Sequence, residues 1–211
     1  PCKCCFGSLQ HARHFLSENQ ALKEEINATL HVEGLTYRGA VRIRHLLSLL
    51  HTEVGVKRIG AAIKKPFQGL KVAAHYGCHA LRPSAVTAFD DPFSPTIFEN
   101  LIDLTGAECV QWPRRLECCG QPAADKNIEL SEHLARRKIE SARDAGAGII
   151  CTACTYCQMQ FGSMRNSEVF PVLYPVLLGL SMGLSEKALG LGKDPILKKL
   201  ERLLFSSEKA S

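Results

Sequence analysis

No apolar run in this sequence is long enough to cross a bilayer. The most apolar segment, Phe170 to Leu184, falls short of the ~20 residues a spanning helix needs, and it carries Pro171 and Pro175. It reads instead as a buried helix starting near Pro175. No secretory signal is visible, so a reducing, cytoplasmic setting is expected. The 10 cysteines are too few for a disulfide scaffold, and a chain of 211 residues buries enough core to fold without staples. A strong charge of either sign is also missing. The net charge is +5, and the basic clusters at Arg42/Arg44, Lys57/Arg58, Lys64/Lys65 and Arg136 to Lys138 read as a solvated face. Aromatic interleaving is sparse and no nucleic-acid motif occurs, so DNA or RNA binding is not expected. No glycine-rich phosphate loop follows a predicted strand, which leaves no nucleotide or flavin site on the chain.

What is present has the composition of an ordinary soluble protein, 45% hydrophobic and 22% charged. From His11 to Leu30 the pattern is helical. Tyr37 to Thr52 reads as a second helix, with Leu46, Leu47, Leu49 and Leu50 as its apolar face, and Val54 to Lys65 as a short third. Pro66 to Gly69 is a turn signal. Beyond it, strands are predicted over Leu70–His75, Glu108–Trp112 and Ala147–Ile150. Helices are predicted from Ser94 or Pro95 through Leu104, with Ser94 as N-cap and Gly106 as stop, and over Ala124–Ala145. This alternation predicts an α/β fold: a Rossmann-like, mostly parallel sheet flanked by helices, with an N-terminal helical segment. In such sheets ligands sit beyond the carboxyl ends of the strands.

Five cysteines are expected at those ends. Cys78 follows the first strand, Cys118 and Cys119 lie side by side in the loop after the second, and Cys151 with Cys154 forms a CxxC after the third. A structural zinc site wants four ligands, usually as two spaced pairs. Adjacent cysteines struggle to place both thiolates on one small ion, yet they easily reach two atoms of a larger cluster. The set therefore suits a multi-iron cluster better than one zinc, with zinc and inert buried thiols as the alternatives. Three further cysteines are extra: Cys109 falls within a predicted strand and reads as a core thiol, while Cys4 and Cys157 read as spare thiols near the sites. His75 and His79 flank Cys78. Each is a candidate to donate a hydrogen bond to a cluster sulfur or to pass a proton to a departing thiolate, set against ordinary packing or solvation. Gly77 and Gly120 read as tight turns or close backbone approaches, and Trp112 as core.

Tyr76-Gly-Cys-His79, Glu117-Cys-Cys-Gly120 and Cys151-Thr-Ala-Cys154 resemble the cysteine-rich CCG domain of the heterodisulfide reductase B subunit. That family carries the motif twice per chain and has relatives in fumarate-, succinate-, glycolate- and lactate-oxidising complexes. The resemblance covers about Gly69 to Met164, and the apolar helix Val172 to Leu184 resembles the family's C-terminal region. It implies that Cys78, Cys118, Cys119, Cys151 and Cys154 hold a noncubane 4Fe-4S cluster. The interval from Cys119 to Cys151 is shorter than the resemblance implies. Cys2-Lys-Cys-Cys-Phe-Gly-Ser-Leu9 also places a CxxC before a helix, so Cys2 and Cys5 are expected to be remnant ligands of an incomplete first site. The single cysteine and Cys-Cys pair of that copy have no counterpart, and the chain opens at Pro1 without an initiator methionine. It is therefore expected to lack the N-terminal part of its first copy. On this view residues 1–65 are the remnant of the first repeat plus a helical connector, and 66–211 are the second CCG domain with C-terminal helices.

The function implied by the resemblance is a redox subunit that reduces a disulfide, such as the mixed disulfide of coenzyme M and coenzyme B in methanogens. Its implied partners are an iron–sulfur C subunit, a flavin-containing A subunit and the thiol or disulfide substrate. A non-catalytic electron-transfer or docking subunit and a zinc-stabilised module are the competing expectations.

Overall fold

The computed structural model describes residues 2–164 and 167–191. Its N-terminal part is helical from the start: α1 spans Lys3–Glu18 and α2 spans Gln20–His31. The break between them is made by Asn19, whose backbone is extended and whose side chain accepts a hydrogen bond from the Leu22 amide as an N-cap. The single helix expected over His11–Leu30 is thus two, and the first begins at the cysteines.

Residues 37–45, expected to be helical, are not. The leucine face begins only at Leu46, where His45 caps α3 (Leu46–Ser48) by accepting from the Leu47 amide. A π-helical turn over Leu49–Gly55 follows, and α4 (Val56–Ala62) completes the segment.

After the turn at Pro66–Gly69 come β1 (Lys71–His75), α5 (Ser84–Thr87), α6 (Ile97–Asp103), β2 (Glu108–Val110), a 3-10 turn at Gln121–Ala123, α7 (Ile128–Asp144), β3 (Ile149–Thr152), α8 (Thr155–Gly162), β4 (Phe170–Leu173) and α9 (Tyr174–Ser181). The expected N-cap of α6, Ser94, is replaced by the Asp90 carboxylate, which accepts from the Thr96 and Ile97 amides at 2.9 and 2.8 Å. Asn127 caps α7 through the Leu130 amide, and Gly146 ends it with φ +81°.

All strand pairs are parallel, in the order β2-β1-β3-β4. The fourth strand was not expected, because Phe170 to Leu173 merges with α9 into one apolar run. Pro171 is tolerated there because β4 pairs on one side only, with β3. Strand alternation divides the core in two. Val72, Ala74, Ile149, Cys151 and Val172 face one cluster, covered by Leu101 and Phe98 of α6, Leu177 of α9, Leu47, Ile59 and Phe6. Ala73 and Ile150 face the other, covered by Ala135, Ile139 and Ala142 of α7 and by Cys157 and Phe161 of α8. Phe6, Leu47 and Ile59 share their apolar cluster with the sheet, so residues on both sides of position 65 pack in one core. No helix among the described residues is long and apolar enough to cross a membrane.

Leu101 is fully buried, whereas Leu9 on α1 is exposed. Leu101→Ala should cost about 2–5 kcal/mol and Leu9→Ala less than about 0.5 kcal/mol in urea unfolding of the reduced protein.

Candidate metal centre

The parallel sheet sends every strand's carboxyl end to one edge, and the cysteine loops leave from that edge. Pairing of β1 with β3 sets His75 opposite Thr152, which brings the Gly77-Cys78 turn beside the Ala153-Cys154 turn. The Tyr76 and Gly77 amides both donate to the Arg115 carbonyl, which draws in the loop that carries Cys118 and Cys119. Gly120, the last residue of the CCG triplet, has φ +92°, and a Cβ there would stand 2.4 Å from the Ser131 carbonyl oxygen. Only glycine lets this loop lie against α7.

Five thiols form an unbroken chain of contacts. Cys118 interacts with Cys119 and Cys78, Cys119 with Cys157, and Cys157 with Cys154. They line one cavity together with Lys3, Cys4, Tyr76, His79, Gln121 and Tyr156. Thiol-to-thiolate hydrogen bonds set their protonation. Cys119 and Cys78 hold Cys118 far below the ordinary thiol value, and Cys157 and Cys4 do the same for Cys154. The donors move the other way. Cys157 is pushed far up by Cys119 and Cys154, and Cys78 by Cys118 and by burial.

Cys151 stands apart from this chain of thiols. Strand β3 runs on through Thr152 instead of ending at Ile150, so Cys151 is a strand residue. Its side chain follows Ile149 onto the face packed with Val172 and Tyr174, fully buried, and burial pushes its thiol well up. Ile150 takes the opposite face, and the chain turns after Thr152 to deliver Cys154 and Cys157 to the cavity. Two CxxC motifs overlap at Cys154, and the one that lines the site is Cys154-Thr-Tyr-Cys157. Counting from Cys119 to Cys154 instead of to Cys151 lengthens the interval by three residues.

The N-terminal CxxC adopts the same local geometry. Cys2 caps α1 and Cys5 lies in its first turn, as Cys154 caps α8 and Cys157 lies in its first turn. Cys2 Sγ is 3.8 Å from Cys154 Sγ, and Cys4 Sγ is 3.7 Å from it. Cys5 is exposed, and its thiol interacts with Cys2. This approach depends on Gly7, where a Cβ would stand 2.7 Å from the His79 carbonyl oxygen. His79 itself is exposed, with Nδ1 3.0 Å from Cys4 Sγ. Cys109 on β2 packs against the apolar core, and burial raises its thiol to about 12. Trp112 is buried and donates from Nε1 to the Ala74 carbonyl.

Three buried polar residues surround the thiols. His75 is fully buried with neither ring nitrogen hydrogen-bonded, and its ligand atom lies with the sulfurs of Cys119 and Cys157 within 4.8 Å of one another. Desolvation holds its pKa well below the ordinary value, so the ring is neutral. Lys3 is 2% exposed and donates to the His75 carbonyl at 2.6 Å. Lys138 is 1% exposed and donates to the Arg114 and Glu117 carbonyls, immediately before Cys118. Burial pulls Lys3 down to about 8 against the opposing pull of nearby thiolates, and Lys138 to about 7 against that of Glu117 and then the thiolates. A clustered soft-donor set around an unpartnered imidazole is what a thiophilic metal or iron–sulfur group requires.

Sequence reasoning missed His45. In the structure Nδ1 accepts from the Leu47 amide and Nε2 donates to the Ala153 carbonyl at 3.2 Å, one residue before Cys154. These partners define a neutral tautomer. Phe6 and Phe89 pack edge-on against the ring.

The fold and the thiol set define a cysteine-rich domain of the CCG class, and the family model described as "CCG: Cysteine-rich domain" matches residues 72–162. Similarity extends beyond that domain. The chain is 35% identical over 210 residues to the B subunit of the ferredoxin:CoB-CoM heterodisulfide reductase of Methanosarcina mazei, covering 92% of this chain and 68% of that one. It is 32% identical to a protein of Archaeoglobus profundus described as like the heterodisulfide reductase B subunit, over 94% of this chain and 72% of that one. It is also 32% identical to the 8-methylmenaquinol:fumarate reductase membrane anchor subunit of Wolinella succinogenes, over 92% and 70% respectively. The chain belongs to the family of heterodisulfide reductase B subunits. A hypothetical protein from Helicobacter pylori shares the fold, with TM-score 0.62 at 14% identity over 87% of this chain and 34% of that one.

The His45 pKa, pushed down to about 3 by burial, lies below the ordinary 6.5. The unfolded chain therefore binds this proton more readily between those values. The stability gained by keeping His45 neutral is full above about pH 6.5 and is lost as the pH falls toward 3. Between pH 7 and 4.5, urea unfolding should show wild type losing about 2–3 kcal/mol more than His45→Gln.

Proposed function

We propose that this chain is the redox subunit of a heterodisulfide reductase-like complex, and that Cys78, Cys118, Cys119, Cys154 and Cys157 hold a noncubane 4Fe-4S cluster. The observation that supports this most directly is the unbroken contact of those five thiols at one sheet edge. An adjacent Cys118-Cys119 pair reaches two metal atoms more readily than one, which favours a cluster over a single ion. Buried, mutually hydrogen-bonded thiols also give up protons when a metal arrives, so loading the site releases protons.

When bound, such a cluster supplies one-electron steps next to sulfur, which suits two-electron cleavage of a disulfide. The protein's own residues set the conditions. His75, neutral and unpartnered, is placed to donate to a cluster sulfur or to a thiolate of Cys119 or Cys157. His79, exposed beside Cys4, is the residue placed to exchange protons with solvent. Cys2 and Cys5, whose thiols interact at the start of α1, serve as ligands of a separate first site. The working partners are an iron–sulfur C subunit, a flavin-containing A subunit and a thiol or disulfide substrate, in a reducing cytoplasmic setting. A non-catalytic electron-transfer role would use the same ligands without a substrate response.

A second reading, a zinc-stabilised module, draws on the His75, Cys119 and Cys157 trio, which is compact enough for one ion.

Anaerobic purification followed by iron, sulfide and zinc analysis separates these. Iron and sulfide with visible absorption are expected, and stoichiometric zinc without iron would sink the cluster reading. Cys157→Ser and Cys118→Ser should lose most of the iron, while Cys151→Ser should retain it. Loss from Cys151→Ser with retention by Cys157→Ser would reverse the ligand assignment.

A further inference from the structure

Lys3 and Lys138 are among the most completely buried side chains of the protein, and neither is paired with a carboxylate among the described residues. A buried ammonium without a counter-charge is costly. The acidic groups that act on them are each engaged with an arginine: Glu99 pairs with Arg115 at 2.6 Å, and Glu117 with Arg114 at 2.8 Å. The thiol set supplies the other negative charge near the two lysines. Lys3 lines the cysteine cavity and is subject to the charge of Cys157 and Cys154. Lys138 lies beside the Cys118 loop and is subject to the charge of Glu117 and then of Cys119, Cys157 and Cys118.

Both ammonium groups are held in the same manner. Each donates to a backbone carbonyl at the start of a cysteine loop: Lys3 to His75 ahead of Cys78, and Lys138 to Arg114 and Glu117 ahead of Cys118. Each also rests on aromatic faces, Lys3 over Tyr76 and Phe98 and Lys138 over Trp112, at 4.7 to 5.3 Å from the ring centroids. Carbonyls and rings fix the position of these cations without cancelling their charge.

We propose that Lys3 and Lys138, protonated beside a loaded metal–thiolate centre, serve as its counter-charges, positioning residues that favour its reduction. Adding an electron to a centre ringed by thiolates in a low-dielectric interior is opposed by their negative charge, and two buried cations offset that opposition. This inference rests on the cluster reading above.

The test is an anaerobic redox titration of protein reconstituted with ferrous iron and sulfide, followed by electron paramagnetic resonance and compared with iron content. Lys138→Met should retain the cluster and shift its reduced-to-oxidised ratio at a fixed potential at least tenfold toward the oxidised form, about 59 mV for a one-electron couple. Lys138→Arg, which keeps the charge, should lie close to wild type. Lys3→Met should shift in the same direction as Lys138→Met. If Lys138→Met does not hold iron, retention of both iron and potential by Lys138→Arg still supports a requirement for charge. An unshifted potential in iron-loaded Lys138→Met overturns the inference, and so does an equal defect in Lys138→Arg, which would mark a purely structural clamp. Wild-type protein that takes up no iron overturns the cluster reading itself, and the inference with it.

Discussion

Everything at the site depends on the parallel pairing of β1 with β3. That register places His75 opposite Thr152 and aligns the exits of two strands, so two loops distant in sequence leave the sheet side by side. It also decides which side chains leave the core. Successive residues of a strand face opposite layers. Cys151 therefore belongs to the apolar layer of Val172 and Tyr174, while Ile150 covers the layer from which Cys154 and Cys157 emerge. A one-residue slip in this pair would exchange a core thiol for an isoleucine and disperse the thiol chain.

Around this frame the buried polar side chains of the described residues are hydrogen-bonded, His75 excepted. Tyr76 donates to Glu99 and accepts from the Phe98 amide, and Arg115 completes that network against the same carboxylate. Gln160 donates to Ser131, tying α8 to α7. Gln158 donates to the Pro171 carbonyl and accepts from Thr152, which secures edge strand β4. Against this background His75 stands out, since neither of its nitrogens has a partner. Among the described polar residues beside the thiols, His75 is thus distinguished by what it leaves unsatisfied, while Lys3 and Lys138 are hydrogen-bonded.

Much of the architecture was legible in the sequence, and for identifiable reasons. The alternation of apolar strands with helices stopped by Gly106 and Gly146 predicted a parallel α/β sheet and the edge on which the thiols gather. Boundaries were harder. Leu46, Leu47, Leu49 and Leu50 carry a true helical face, but the chain before them is not helical, and His45, with an extended backbone, caps α3. The fourth strand was concealed because Phe170 to Leu173 and α9 are equally apolar, and Pro171 argued against a strand. Cys151 was expected just past the third strand, but β3 runs on to Thr152 and includes it; two overlapping CxxC motifs share Cys154, and where β3 ends decides which of them lines the cavity. His45 and the two buried lysines left no local signal, since their roles arise only from contacts far along the chain.

Those distances have a consequence for the order in which the protein is built. Cys2 and Cys154 are separated by 152 positions, yet their sulfurs lie 3.8 Å apart. The remaining thiols of the set come from three loops that meet only after β1, β2 and β3 have paired. Non-local parallel pairing is slow to form, because chain entropy is lost before the contacts are made. In a newly made chain the sulfurs are therefore scattered and accessible until late. Until folding is complete the thiols are open to oxidation, so the set is most vulnerable before it has assembled.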